Sequence, residues 1–471
     1  MSISTPSLVM LHLGLGSFHR AHQAVYMHRL RETGDTQWHL AGGNIRPDMA
    51  ETIAALAAQG GEYTLETISP ANEHSYTRIT SIKDVIPFEP SLAGLIARAV
   101  DPSTRIISFT VTEAGYYLDP NNRLDATLSD ITDDLAAVKA GQPGSTIYGA
   151  LAVMLKARMQ AGSGPVTLLC CDNLRHNGDR SRSGLLQFIE QLDDSALLAW
   201  VKANTSSPND MVDRITPRPA PAVAERVRAA TGWADQAPVM GESFIQWVVE
   251  ENFCAGRPQW ETVGVEMVSS VAPYEEAKIR ILNATHGCVA WAGALLGLTY
   301  IHEDMAVPEI RKMAYDYVTN DVIPCLDRPE SPSPIDLAAY RDIVLDRFSN
   351  PFVRDTNARV AADGSTKLDG FISPTVRDRL ARGESIASVA RLPALFLAFL
   401  DRWNAETLPF DYHDHAISKE RCHSICSAPD PVAELTRESA FWGDAAGNPE
   451  LLGSVRHAYE ELGTTLSRLR M

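Results

Sequence analysis

An α/β fold, with a parallel sheet in the N-terminal part and a mainly α-helical C-terminal part, is predicted by three features of the 471-residue sequence. Short apolar runs alternate with helix-like stretches up to about residue 270, as strand–helix–strand units require. The first of these runs ends in a glycine turn, Gly14-Leu15-Gly16. After Val271-Ala-Pro-Tyr274 the long segments carry helical periodicity instead.

Leu8 to Leu13 is the first strand candidate, and Ala21 to Leu30, with Ala24, Met27 and Leu30 near helical spacing, is the helix after its turn. Trp38 to Ile45 follows at the separation of one strand–helix–strand unit. Arg105 to Val111 and Pro165 to Cys171 are further strands, and Tyr148 to Gln160 is an intervening helix. Beyond the change of texture, Glu275 to Tyr300, Pro308 to Val318, Pro334 to Phe348, Ser385 to Trp403 and Pro449 to Leu469 read as helices, with Pro334 as first helical residue behind a Ser333 cap. The expected division is residues 1–270 and 271–471.

Composition narrows the partners. Lys and Arg number 42 against 59 Asp and Glu, a formal charge of −17 that repels phosphate backbones and anionic membranes, so neither nucleic acid nor membrane is an expected partner. The longest uncharged apolar run, Gly287 to Ile301, is short of the roughly 20 residues of a membrane-spanning helix and reads as a core helix. No basic segment precedes the apolar N-terminal stretch, and seven cysteines are few, odd in number and unevenly placed. A reducing, cytoplasmic setting is expected.

The turn Gly14-Leu15-Gly16-Ser17-Phe18-His19-Arg20 is similar to the dinucleotide fingerprint GxGxxG, with His19 where the third glycine would stand. The first glycine permits the tight turn, the second lets backbone approach a pyrophosphate, and a helix N-terminus supplies free N–H groups. The third mainly allows close helix–strand packing. A tight turn in some other α/β protein is the competing explanation. The second strand ends Asn44-Ile45-Arg46-Pro47-Asp48 without an acidic residue at the expected ribose position. Asn44 could bond a ribose hydroxyl and Arg46 a 2′-phosphate, which leaves NAD and NADP both open.

Lys278, Asn283 and His286 fall within an arc of about 140° on an α-helix and can face one pocket. Oxidation of a secondary alcohol needs these groups. A lysine desolvated in a pocket can take the hydroxyl proton, an amide can donate to the developing alkoxide, and an imidazole can fix the substrate oxygen. An ordinary helix with surface Lys and His is the competing explanation.

The strings YEEAKIRILNATHG, GLGSFHRAHQ, CCDNLRHNG, MVDRITPR and DGSTKLDGF, in one order from Gly14 to Gly370, resemble the polyol-specific long-chain dehydrogenases, the family of mannitol 2-dehydrogenase and the hexuronate reductases. The resemblance implies a Rossmann-type dinucleotide-binding domain followed by a mainly helical substrate-binding and catalytic domain. It implies NAD-linked oxidation of a polyol, D-arabinitol to D-xylulose, without metal, with mannitol or a hexuronate as alternative substrates. Lys278 corresponds to the general base, Asn173 and Asn283 to the paired oxyanion amides, and His286 to the substrate-binding histidine. Arg359 and Lys367 match the basic pair on the polyol hydroxyls, Asp213 is assigned to the pocket, and Glu275 matches a carboxylate that exchanges protons with solvent. A monomer or small oligomer is implied.

Two other classes are weighed. A non-catalytic dinucleotide or sugar sensor would lack a reactive base. A zinc enzyme could draw on His413, His415, Cys422, His423 and Cys426, but their spacing matches no standard zinc module, so buried Cys beside surface His is the expectation. Cys170 and Cys171 are adjacent on a strand and should face opposite ways.

Overall fold

The computed structural model describes residues 7–119, 122–217 and 221–469; the start of the N-terminal stretch and Arg218, the last residue of one quoted string, lie outside them. The chain forms two compact units, one of residues 1–69 and 73–272, the other of residues 70–72 and 273–471.

Among the described residues, twelve strands belong to the first unit: β1 Leu8–Leu13, β2 Trp38–Gly43, β3 Tyr63–Ile68, β4 His74–Ile79, β5 Ile82–Ile86, β6 Thr104–Phe109, β7 Val166–Cys170, β8 Thr205–Ser206, β9 Asp210–Asp213, β10 Val239–Glu242, β11 Gln246–Glu250 and β12 Glu266–Val268. Six of them form a wholly parallel sheet in the order β5-β2-β1-β6-β7-β8. Numbered within that sheet the order is 3-2-1-4-5-6, so the winding direction reverses between β1 and β6. The remaining strands make two three-stranded sheets, β10-β3-β4 and β12-β11-β9.

The strands are continuous apolar runs because both faces of the sheet are covered. Leu11, Leu13, Ile107, Phe109, Leu168 and Cys170 pack into one core with the helix Ile147–Ala161. Met10, Ile106, Leu169 and Cys171 enter a second core with Met27, Trp247 and Trp260. The adjacent cysteines thus face opposite sides of the sheet.

Local chemistry shifts several expected boundaries. The first helix is broken at His22 (φ −126°, ψ −89°) into Ser17–Ala21 and Gln23–Glu32. Strand β2 stops at Gly43, short of Ile45, and the helix expected from Pro334 begins at Leu337. There Asp336, not Ser333, caps it by accepting from the Ala339 N–H at 2.9 Å, while the Ser333 hydroxyl accepts from Ile335 N–H. Residues 385–390 lie before the helix Arg391–Asn404. Arg379 donates to the Ser385 carbonyl and Asp321 accepts from the Val389 N–H at 2.6 Å, so side chains hold these backbone groups.

The second unit is built around the nearly all-buried helix Ala284–Leu296, which ends at Gly297 in the left-handed region. Its Trp291 packs on Phe396 with ring centroids 4.8 Å apart. Residues 272–296 are helical throughout, but Lys278–Asn283 is a π-helical turn. Val318–Val322 and Leu368–Ile372 are also π-helical, and both touch the first π turn. Among the described residues no helix is long and apolar enough to cross a membrane.

Asp304 is fully buried, against Gly293 of the central helix, and accepts from Asn357 Nδ2 at 3.1 Å. Burial pushes its carboxyl up to about 8 from an ordinary 3.8. The folded chain therefore holds this proton while the unfolded chain releases it, so the stability Asp304 contributes falls as pH rises from about 4 to about 8. In urea titrations across that range, wild type should lose stability relative to Asp304→Asn as pH rises; a pH-independent difference would contradict the buried neutral acid.

Candidate active site

The glycine turn lies where the sheet reverses direction, the place where open α/β sheets bind ligands. Gly14 has φ +110°, and a Cβ there would sit 2.5 Å from the Thr110 carbonyl oxygen at the end of β6, so a side chain is excluded both conformationally and sterically. Gly16 differs: an added Cβ would meet nothing nearer than the Gly14 oxygen at 4.0 Å, so the space over its backbone is open to the cavity that it lines. Below the turn, His19 lies flat on His12 of β1, with ring centroids 3.4 Å apart and planes 12° apart. Stacking thus replaces the close packing that a third glycine would give. Burial pushes His12 down to about 3, a neutral imidazole bonded to Ser108 and Thr110.

A cavity of about 680 Å³ opens over this turn, within the range of cofactor sites. Gly14, Gly16, Phe18, Asn44 and Arg46, which the sequence assigns to the cofactor, line it together with Asn173, which the sequence assigns to the oxyanion. His19 and Arg20 are not among its lining residues. Both are buried, and Arg20 donates to the Ala237 carbonyl at 2.5 Å. Asn44 braces the turn: its Oδ1 accepts from the Leu15 N–H at 2.9 Å and its Nδ2 donates to the Asp48 carbonyl. Arg46 donates to the Ser145 carbonyl and the Tyr117 hydroxyl at 2.9 and 3.0 Å. The open Gly16 backbone and the adjoining wall fit a dinucleotide.

Three lining residues escaped sequence reasoning. Asp48 lies only two positions past Arg46 and supplies a carboxylate near the end of β2. Asp172 stood inside one of the quoted strings, immediately before Asn173. Its carboxylate accepts from the Val111 and Thr112 N–H groups at 2.8 and 3.0 Å and from the Tyr116 hydroxyl. Burial raises its carboxyl, against the lowering effect of these bonds. Thr112 itself has φ 69° and ψ 161°, a region costing a side-chain-bearing residue of order 1–3 kcal/mol. The two N–H bonds to the carboxylate, at about 0.5–1.5 kcal/mol each, are of the size needed to hold it.

In the helical unit, the π turn changes how Lys278 and Asn283 relate. An i→i+5 ladder stacks residues five apart, so the first and last residues of this turn share a helix face more closely than in an α-helix. Lys278 and Glu275 are buried and one helical turn apart. His286 stacks on Phe348 at 4.5 Å and its Nε2 lies 3.3 Å from Asp355 Oδ2. Burial lowers His286, outweighing the opposite pull of Asp355. Burial alone would raise Asp355, but the bonds from His286 and Arg359 hold it well below the usual carboxylate range.

Arg359 donates from Nε to Asp355 Oδ1 at 2.6 Å and from Nη2 to the other oxygen. Lys367 donates to the carbonyls of Val360, at 2.6 Å, and Ala362, and its stem passes over Gly287. The fold therefore brings His286, Arg359 and Lys367 together, with Asp355 joining the first two; the signal for Asp355 was its i,i+4 spacing from Arg359. Asp213, the last residue of β9, is buried, pairs across the sheet with Gln246 and is not among the residues lining the dinucleotide cavity. In the cysteine–histidine cluster, Cys422 donates to the Leu400 carbonyl and lies 4.0 Å from Cys426, His415 pairs with Asp363 at 2.7 Å, and His423 bonds Asn404.

A six-stranded 3-2-1-4-5-6 sheet with its glycine turn at the reversal defines a dinucleotide-binding class of protein. Residues 9–262 match the mannitol dehydrogenase Rossmann domain and residues 270–463 the mannitol dehydrogenase C-terminal domain. The chain belongs to the mannitol dehydrogenase family and is an oxidoreductase of the polyol dehydrogenase class. It is 56% identical to D-arabinitol 4-dehydrogenase of Ralstonia nicotianae over 95% of each chain. Its identity to D-arabinitol 4-dehydrogenase of Klebsiella pneumoniae is 50%, over 97% of this chain and 98% of that one. Among solved structures it is similar to Pseudomonas fluorescens mannitol 2-dehydrogenase in ternary complex with NAD and D-mannitol, with TM-score 0.81, 34% identity, and coverage of 99% of this chain and 94% of that one.

The open surface at Gly16 gives a direct test. Gly16→Val should fold with a melting temperature near that of wild type and bind NAD at least tenfold more weakly by isothermal titration calorimetry. Unchanged affinity would place the dinucleotide elsewhere.

Proposed function

We propose that the chain oxidises D-arabinitol to D-xylulose with NAD, reversibly and without a metal ion, using Lys278 as general base. The observation that carries the substrate is the 56% and 50% identity, over nearly full length, to two D-arabinitol 4-dehydrogenases, against 39% to the mannitol 2-dehydrogenase of Cereibacter sphaeroides. Residues 1–270 hold the dinucleotide and residues 271–471 carry substrate binding and most of the catalytic groups. Asp48 on the cavity wall supports NAD over NADP, since a carboxylate accepts from ribose hydroxyls and repels a 2′-phosphate.

NAD, when bound, accepts hydride from the carbinol carbon. Neutral Lys278 Nζ takes the hydroxyl proton, and Glu275, one helical turn earlier, passes protons to solvent. The side-chain amides of Asn283 and Asn173 donate to the oxygen as negative charge develops on it, a preorganised neutral substitute for a Lewis acid. His286 holds a neighbouring hydroxyl of the substrate: with Nε2–H donated to Asp355, Nδ1 is left as an acceptor for that hydroxyl's hydrogen. Arg359 and Lys367 donate to the remaining hydroxyls and Asp213 completes the pocket. The protein works in the cytoplasm as a monomer or small oligomer.

Purified protein assayed at the nicotinamide absorbance band should turn over D-arabinitol with NAD faster than mannitol, fructuronate or tagaturonate, and faster than with NADP. Dominant turnover of a hexuronate would overturn the substrate assignment. Lys278→Ala should lower kcat at least about 100-fold while leaving NAD affinity within twofold, on the scale of acid–base catalysis; unchanged kcat would reject Lys278 as the base. Exhaustive chelation should leave activity intact, and its loss with recovery on added zinc would reject the metal-free reaction.

A further inference from the structure

The loop after β6 is held in a conformation that its sequence does not favour, and the group holding it comes from the end of a different strand. Thr112 is β-branched, yet it has φ 69° with ψ 161°, a region that glycine occupies freely and other residues rarely adopt. Val111 and Thr112 both line the dinucleotide cavity. Their N–H groups converge on the two carboxylate oxygens of Asp172, which is nearly buried just beyond β7.

The carboxylate is itself positioned. The Tyr116 hydroxyl donates to it, and the Tyr148 hydroxyl in turn donates to the Tyr116 carbonyl at 2.9 Å. The Asp172 backbone carbonyl accepts from the Leu174 N–H and from Asn177 Nδ2, at 2.9 and 3.1 Å. Asn177 also donates to the Cys170 carbonyl, which ties this corner to the end of β7. A buried chain therefore runs from the helix Ile147–Ala161 to the cavity wall.

We propose that Asp172 is a positioning residue for the dinucleotide: its carboxylate clamps the Val111–Thr112 backbone, with Thr112 at positive φ, and so shapes one wall of the cavity. The inference rests on the reading of that cavity as the NAD site. It adds a role for a residue beside Asn173 that touches neither the hydride nor the proton. Without the clamp, Thr112 relaxes to negative φ and the wall changes shape. Glycine at 112 has no such preference, so it should relieve the dependence on Asp172.

That relation separates a clamp from a general structural role. NAD affinity is measured by isothermal titration calorimetry and melting temperature by circular dichroism, for wild type, Asp172→Asn and the double variant Asp172→Asn/Thr112→Gly. In Asp172→Asn the new amide faces one N–H group with another, and NAD should bind at least tenfold more weakly. The double variant should regain at least threefold of that loss without a matching rise in melting temperature. Asp172→Asn binding NAD within twofold of wild type would overturn the proposal, as would a double variant no better than the single one. If Asp172→Asn does not fold, Tyr116→Phe, which removes one bond to the carboxylate and leaves both N–H bonds, should weaken NAD about threefold and be restored by Thr112→Gly. The absence of either effect would overturn the proposal equally. Failure of wild type itself to bind NAD would reject the cavity assignment, a distinguishable outcome.

Discussion

The approach of Gly14 to Thr110 sets the geometry on which the dinucleotide unit depends. At this point β1 and β6 lie side by side and the connections leave in opposite directions, so the sheet opens at its carboxyl edge. The gap is narrow enough that a single Cβ would meet a backbone carbonyl. Turn, cavity and wall follow from it. The Gly14 N–H donates to the Gly43 carbonyl at 2.9 Å, the Leu15 N–H to Asn44, and Gly16 is left facing the opening. The two histidines beneath close the remaining space by stacking, as neutral rings whose burial excludes charge.

Such an arrangement is legible in sequence where backbone chemistry leaves a residue-type mark. Gly14 and Gly16 after an apolar strand point to the turn, and the short apolar runs Leu8–Leu13, Trp38–Ile45 and Pro165–Cys171, alternating with helical stretches, point to a sheet with helices on its faces. The position of His19 was legible, but its role was not. A side chain in a glycine position can face the cavity or the core, and only the partner ring on His12 decides which. Arg20 shows the same limit. Its place in the turn was legible, but the fold turns the guanidinium to the Ala237 carbonyl.

In the helical unit, spacing located Lys278, Asn283 and His286 on one side of a helix but assumed α geometry throughout. The π turn is a property of packing with the segments at Val318–Val322 and Leu368–Ile372, far away in sequence. It sharpens the alignment of Lys278 with Asn283 that the spacing only allowed. Tyr317 donates to the Arg280 carbonyl inside the turn at 3.0 Å, and Arg280 is tied to Glu276 at 2.8 Å and to Asp378. Asp355 was hidden for a related reason: a carboxylate four residues before an arginine is common on helix surfaces, and its function emerges from His286, a distant residue that shares it. Boundaries were lost where side chains such as Asp336 and Asp321 took over backbone groups.

The central claim is that the dinucleotide binds over the Gly14–Gly16 turn at the reversal of the sheet, against the wall formed by the ends of β6 and β7. Backbone hydrogen exchange, followed residue by residue with and without saturating NAD, tests this most directly. Protection is expected at Gly14–Phe18, Asn44–Arg46, Val111–Thr112 and Asp172–Asn173, with no direct protection at His413–Cys426. Bound NAD that leaves the first four segments exchanging as in the free protein would contradict the account.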